Sequence, residues 1–313
     1  MCRMKSHFII IFLLCFFYSE AQDVYYSSKD ITINIFVDGT LLIPTKEEKP
    51  VLAILIADSG PTDRNGNQNF LKSNNLKKLA ENLSNHNIAT FRYDKRIVKQ
   101  IKNGNVDKNI MFDDFVTDAI SVIEYFKKTN AYSKIYVIGH SQGSLIGMLA
   151  AKEGIDGFIS LSGAGQSIDK VIIDQVQKTA PIYTEDTKRV FDIMRIGKTT
   201  MDYPTVLGSF LNIEIQPFMM SWMKYNPQDV IKSLNIPILI INGTKDLQVT
   251  VEEANLLKES SQHAEIKIID KMNHVFFIID GDDLENSKSY NESARAISDE
   301  MVTAILDFIN RHN

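Results

Sequence analysis

Ile135-Tyr136-Val137-Ile138-Gly139-His140-Ser141-Gln142-Gly143-Ser144-Leu145 is the stretch whose reading decides the fold. Its first four residues are apolar and either β-branched or aromatic, as in a strand buried on both faces. Ser144 to Lys152 then reads as an apolar helix. Between the two, Gly139, Ser141 and Gly143 form a G-x-S-x-G motif. On a sharp strand-to-helix turn such a serine is held strained with its hydroxyl exposed, while the flanking glycines let neighbouring backbone pass closely. The helix N-terminus behind it favours developing negative charge. A mere tight turn would not need this setting, so Ser141 is read as a nucleophile. His140 points elsewhere on such a turn and is read as a wall of the substrate pocket.

Outward from this stretch, apolar β-branched runs alternate with helical ones. Val51 to Ala57, Ala89 to Tyr93, Gly157 to Leu161, Ile236 to Asn242 and Ala264 to Ile269 read as strands. Leu71 to Asn85, Phe112 to Lys128 and Ala294 to Asn310 have helical spacing. Alternation of this kind means an α/β class with a mostly parallel sheet covered on both faces. Ile31 to Phe36 and Thr40 to Ile43 alternate around Asp38-Gly39, which predicts an antiparallel N-terminal hairpin at the sheet edge. Gly165 to Val230 lacks a clear buried strand and is rich in Met, Phe, Tyr and Gln. It reads as a helical cap insertion over the carboxyl ends of the strands, where open α/β sheets bind ligands; ordinary packing helices are the alternative. Trp222, the only tryptophan, is read as a substrate contact in that insertion.

A serine hydroxyl needs a base, and the base needs a partner to fix its tautomer. In this arrangement the chain order is serine, acid, histidine. His263 precedes a strand and His312 lies two residues from the end, whereas His274 follows the strand Ala264 to Ile269 by a short loop. His274 is therefore the expected base. Asp246, just beyond the strand Ile236 to Asn242, is the expected acid, with Glu252, Glu253 and Asp270 as competitors. A tetrahedral intermediate also needs two backbone donors. Gln142, after the nucleophile, is one; Ser59, with Gly60 as runner-up, is the other. Asp63 and Arg64 are expected to tie that loop together. Metal-ligand spacing and a phosphate-binding glycine loop are absent, so no metal or cofactor is expected. The acidic run Gly281 to Glu285 reads as a solvated loop.

The chain has 313 residues, 44% hydrophobic and 23% charged, enough for one sizeable core. A formal net charge of -5 lacks the basic balance of a nucleic-acid binder, which argues against that partner. At the start, Arg3 and Lys5 precede an apolar run from Phe8 to Tyr18, and Ser19-Glu20-Ala21 offers a small-x-small site before Gln22. That order reads as a signal peptide over residues 1–21, with the domain over 22–313, and as export to the periplasm, the medium or the cell surface. An uncleaved anchor and a lipoprotein through Cys15 are weaker alternatives. Both cysteines, Cys2 and Cys15, fall in this leader, so the mature chain has no thiol nucleophile and no disulfide. No later segment is long and apolar enough to span a membrane.

Ser59-Gly60-Pro61-Thr62-Asp63-Arg64-Asn65-Gly66-Asn67, Phe91-Arg92-Tyr93-Asp94-Lys95-Arg96, the serine motif, Gly243-Thr244-Lys245-Asp246 and Met272-Asn273-His274 occur in that order. Together they resemble the bacterial esterase-type α/β-hydrolases related to serine aminopeptidase-like hydrolases, over about Val51 to Asn310. The resemblance implies the α/β-hydrolase fold and hydrolysis of small-molecule carboxylic esters. Two positions depart from it. Asp58 stands where such enzymes usually carry a small residue or histidine, and a carboxylate there repels an oxyanion unless it points away. Ile97 replaces the glycine that often follows Arg96. Two other functions remain open. One is an aminopeptidase or amidase using the same three residues, with Glu185, Asp186, Asp202 or Glu214 holding a substrate ammonium. The other is a non-catalytic binding protein on the same scaffold.

Overall fold

The computed structural model describes residues 25–313. The leader reading and both cysteines lie outside them. Among the described residues eight strands form one sheet: β1 (Tyr26–Thr32), β2 (Asp38–Pro44), β3 (Leu52–Ile56), β4 (Ala89–Tyr93), β5 (Ile135–His140), β6 (Gly157–Leu161), β7 (Ile238–Gly243) and β8 (Ala264–Ile269), in the order β1-β2-β4-β3-β5-β6-β7-β8. β1 and β2 pair antiparallel, as do β2 and β4; every later neighbour is parallel. The N-terminal hairpin therefore sits at the edge, as expected.

Strand alternation divides the core. Leu52, Ile54 and Ile56 face one apolar cluster, while Ala53 and Leu55 face the other. The first cluster is closed by α3 (Phe112–Thr129), through Phe115, Val122 and Phe126, and by α4 (Gln142–Ala150). Leu76, Leu79 and Leu83 of α1 (Asn75–Asn85) close the second, with Met301, Ile305 and Phe308 of the last helix, Asp299–Arg311. Burying each such side chain stabilises by about 1.5–3 kcal/mol.

Between β6 and β7 the chain leaves the sheet through α5 (Ile168–Thr179), α6 (Thr184–Arg195), α7 (Gly208–Leu211), α8 (Gln216–Met223) and α9 (Pro227–Lys232). These helices carry a cluster of their own, centred on Val190, Phe191, Leu211 and Met219. After β7 come α10 (Val251–Ser260), α11 (Asp283–Ser289) and α12, the last helix. No helix of the described residues is long and apolar enough to cross a membrane.

Four local expectations change. The hairpin turn is not at Asp38-Gly39, which already belong to β2 and pair with Thr32 and Ile31. It lies at residues 33–37, where the Asn34 side chain accepts the N–H groups of Phe36 and Val37, an Asx turn. α1 starts at Asn75 rather than Leu71, because Leu71 is bridged to Gln68. The run Gly281 to Glu285 is not a plain loop: Asp282 caps α11 by accepting from Leu284 and Glu285. The last helix starts at Asp299 rather than Ala294, and Ile97 lies in the first turn of α2 (Arg96–Lys102).

Arg96 anchors that turn. Its Nε and Nη2 each donate to Asp118 at 2.8 Å, and Nη1 donates to Asp114 at 2.8 Å. Asp118 is 1% exposed, and burial pushes its carboxyl up against the pull of Arg96. Removing one partner of such a pair strands the other charge. Arg96→Met should therefore cost about 3–5 kcal/mol, read as a fall in the urea midpoint; an unchanged midpoint would show that the pair does not anchor the turn.

Candidate active site

Ser141 follows the carboxyl end of β5 with φ 53° and ψ -116°, a conformation unfavourable for a side-chain-bearing residue. Strain of this kind costs about 1–3 kcal/mol and persists only where surrounding structure enforces it. Here the enforcement is steric. A Cβ on Gly139 would lie 2.2 Å from the Gly143 carbonyl oxygen, and one on Gly143 would lie 2.3 Å from that of Ile56. Only glycine at both positions lets the chain reverse so tightly into α4. The Ser141 N–H donates to the Leu161 carbonyl at 2.9 Å, which ties the turn to β6.

The structure brings His274 and Asp246 together. His274 Nδ1 lies 2.9 Å from Asp246 Oδ2 and 3.1 Å from Oδ1, with both side chains fully buried. Asp246 Oδ1 also accepts the N–H groups of Gln248 and Val249 at 2.8 Å, so the carboxylate cannot drift. The competing acids are used elsewhere. Glu253 accepts from the backbone of Gly165 and Gln166 and fastens the entrance to α5. Asp270 accepts from Thr244 at an exposed turn. Glu252 lies in the first turn of α10, where the Thr250 hydroxyl and then its own backbone N–H hold its carboxyl below the usual value.

Nε2 of His274 faces a different carboxylate, Asp58 Oδ2, at 3.4 Å. Ser141 also helps hold that carboxylate in its charged form. Burial alone would lower the affinity of His274 for a proton. The charge and hydrogen bond of Asp246, followed by those of Asp58, outweigh burial and raise its pKa to about 10. Burial would push the Asp58 carboxyl up, but the hydrogen bond and charge of His274 dominate and hold it far below the usual carboxylate range.

The backbone N–H of Ser59 donates to Asp58 Oδ1 at 2.5 Å, so in this state it is already engaged. Gln142 opens α4, and its side chain accepts from Lys95 Nζ at 2.5 Å. Asp63 does hold its loop, by accepting the N–H groups of Asn65 and Asn67. Arg64 pairs not with Asp63 but with Asp94 and Asp30.

His140 is no pocket wall. It is 2% exposed, and its Nε2 contacts the His274 backbone carbonyl at 2.9 Å. It supports the backbone of the residue expected as base. Burial, then the neighbouring charge of His274, lowers the His140 pKa to about 4, so it stays neutral. Trp222 does line the cavity, stacked on Phe112 at 5.5 Å between centroids. This cavity, about 830 Å³, has Ser59, Ser141 and Gln142 at its floor and Ile172, Phe218 and Trp222 among its apolar walls. Among the described residues, Asp58, His140 and His274 bring possible metal-ligating atoms within 4.8 Å of one another. Existing contacts already occupy His274 Nδ1 and His140 Nε2.

Two supporting residues escaped the sequence reading. Lys95, 3% exposed, donates to the Asp58 carbonyl at 2.9 Å and to Gln142. It thereby links the two segments that carry Ser59 and Gln142. Burial lowers its pKa to about 7, with Asp58 pulling the other way. Asn273, fully buried, accepts from the backbone of Val275 and Phe277 and donates to Asn286 and Ser289. Its place directly before His274 was the only available signal.

The sheet order and the strand-turn-helix at Ser141 are those of the α/β-hydrolase fold. The family model "Serine aminopeptidase, S33" matches residues 71–205. Esterase EstD of Thermotoga maritima is 26% identical over 267 residues, 82% of this chain. The match covers 61% of that relative's length, so this chain spans about three fifths of it. Est1E from Butyrivibrio proteoclasticus has a similar structure, with TM-score 0.58 at 18% identity, covering 90% of this chain and 99% of its own. An esterase of Pyrococcus furiosus follows, with TM-score 0.52 at 16% identity and 91% coverage of both chains.

Asn273→Ala should leave two buried N–H groups without their acceptor, at about 1–3 kcal/mol each. A clear drop in melting temperature is expected, together with loss of the low-field imidazole proton signal of His274. A variant that keeps both would show that the loop holds itself.

Proposed function

We propose that this chain is a serine hydrolase acting on small carboxylic esters, with Ser141 as nucleophile, His274 as base and Asp246 as acid. The observation that carries the reading is the buried His274–Asp246 pair, set beside a serine strained into the floor of an apolar cavity. Ser141 Oγ attacks the ester carbonyl while His274 takes its proton. Asp246 holds the imidazole tautomer and stabilises the imidazolium that forms. The N–H of Gln142, at the start of α4, and the N–H of Ser59 receive the oxyanion. His274 returns the proton to the leaving alcohol, and water assisted by the same base releases the acid. No cofactor enters these steps.

The esterase name of the Thermotoga relative supports ester hydrolysis. The helices from α5 to α9 serve as a cap whose apolar face selects the acyl or aryl part. The aminopeptidase alternative draws on the family description. It loses ground because Glu185, Asp186 and Asp202 pair with Lys188 and Arg189, and Glu214, at the cavity, pairs with Lys108. Residues 1–21 are proposed as an export signal, so the mature chain should begin at Gln22 by mass spectrometry; an intact leader on exported protein would overturn this.

Purified protein should turn over short-chain p-nitrophenyl esters well and aminoacyl anilides poorly. The converse preference would replace the esterase reading by the peptidase one. Ser141→Ala should lower kcat on the order of 10⁶-fold and Asp246→Asn on the order of 10⁴-fold, both folding normally. Fluorophosphonate should label Ser141. Retained turnover in Ser141→Ala, or no labelling, would remove the serine from its role.

A further inference from the structure

The carboxylate of Asp58 does not point away from the nucleophile. One oxygen accepts the Ser59 N–H at 2.5 Å, and the other lies 3.4 Å from His274 Nε2. The Ser141 side chain lies near the same carboxylate and helps hold it in its charged form. His274 Nε2 is buried and makes no hydrogen bond among the described residues, with Asp58 facing it at ion-pair distance. A single side chain thus engages the nucleophile, the base and an oxyanion donor, the three groups that a substrate carbonyl must meet. We propose that Asp58 is a fourth member of the catalytic centre, which holds the substrate's place in the resting enzyme and swings aside as the ester enters. This rests on the reading of Ser141, His274 and Asp246 given above.

The backbone need not move for this. Lys95 clamps the Asp58 carbonyl at 2.9 Å, so the displacement is confined to side-chain rotation. Ser59, the next residue, lines the cavity, which gives the rotated carboxylate space.

While Asp58 is in place, His274 lies between two carboxylates and is kept as an imidazolium, which cannot accept the serine proton. Deprotonation of His274 is required for attack, so activity rises with pH through its titration. The other charged or titratable groups around it are Asp246 after β7, His140 at the end of β5, Lys95 after β4 and Tyr290 after α11. His140 is neutral across the working range. Asp246 stays in every Asp58 variant, so part of the elevation persists. Removing the Asp58 charge should move the ascending limb to lower pH.

The test compares wild type with Asp58→Asn and Asp58→Gly in the full chain. Fluorophosphonate labelling rates and kcat/KM for a p-nitrophenyl ester are measured against pH, with thermal melts as the check on folding. The ascending limb should fall by about one pH unit or more in both variants, and neutral-pH labelling should quicken about tenfold. An unmoved limb, or slower labelling in variants that fold, would overturn the proposal. Should neither variant fold, the wild-type imidazole followed by NMR decides: His274 already neutral at about pH 7 contradicts it, and a persistent imidazolium supports it. If Ser141→Ala keeps turnover, the hydrolase reading itself fails. If Ser141→Ala is dead and the Asp58 profiles match wild type, only the present inference fails.

Discussion

Everything at the site depends on the near-contact between Gly143 and the Ile56 carbonyl, where a Cβ would come within 2.3 Å. This approach lets the start of α4 press against the end of β3. Gly139, paired with Ile56 in the sheet register, completes the fit. Ser141 is thereby driven into its strained turn, and its hydroxyl is delivered to the loop that carries Asp58 and Ser59. The strain is sustained because β5, itself fully buried, is hydrogen-bonded on both sides. A local cost of about 1–3 kcal/mol is small beside the burial that enforces it.

Around this turn the electrostatics are unusually concentrated. Two carboxylates face one buried imidazole from opposite nitrogens. Low dielectric strengthens such pairs, and it penalises any of them left alone. Lys95 and His140 complete the set, one clamping the loop of Asp58, the other supporting the backbone of His274. In a water-excluded centre the proton's position is therefore governed by a few side chains. The apolar cavity above contributes shape and dryness.

The sheet was legible in the sequence because buried parallel strands have a plain signature. Gly157–Leu161 and Ala264–Ile269 agree with their expected ranges, since short apolar runs bounded by loops leave little freedom. The hairpin was foreseen but its turn was misplaced, because an Asn34 side chain captures two N–H groups as effectively as a glycine pair shapes a bend. Asp246 and His274 were recognisable by their places after strands β7 and β8. Their contact with each other was expected from that placement, whereas the diversion of Glu253 to the entrance of α5 was not recognisable. His140 was misjudged because side-chain direction on a strained turn depends on what packs against it.

By itself, the sequence determined the alternation of strands and helices, the glycine spacing that permits the serine turn, and the order of serine, acid and histidine. Those features are local: they follow from burial patterns and from backbone sterics within a few residues. Only the tertiary structure decided which carboxylate meets which imidazole nitrogen, where Asp58 points, and what Lys95 and Asn273 hold. Such contacts join segments tens or hundreds of residues apart, and their energies depend on distances that no single segment contains.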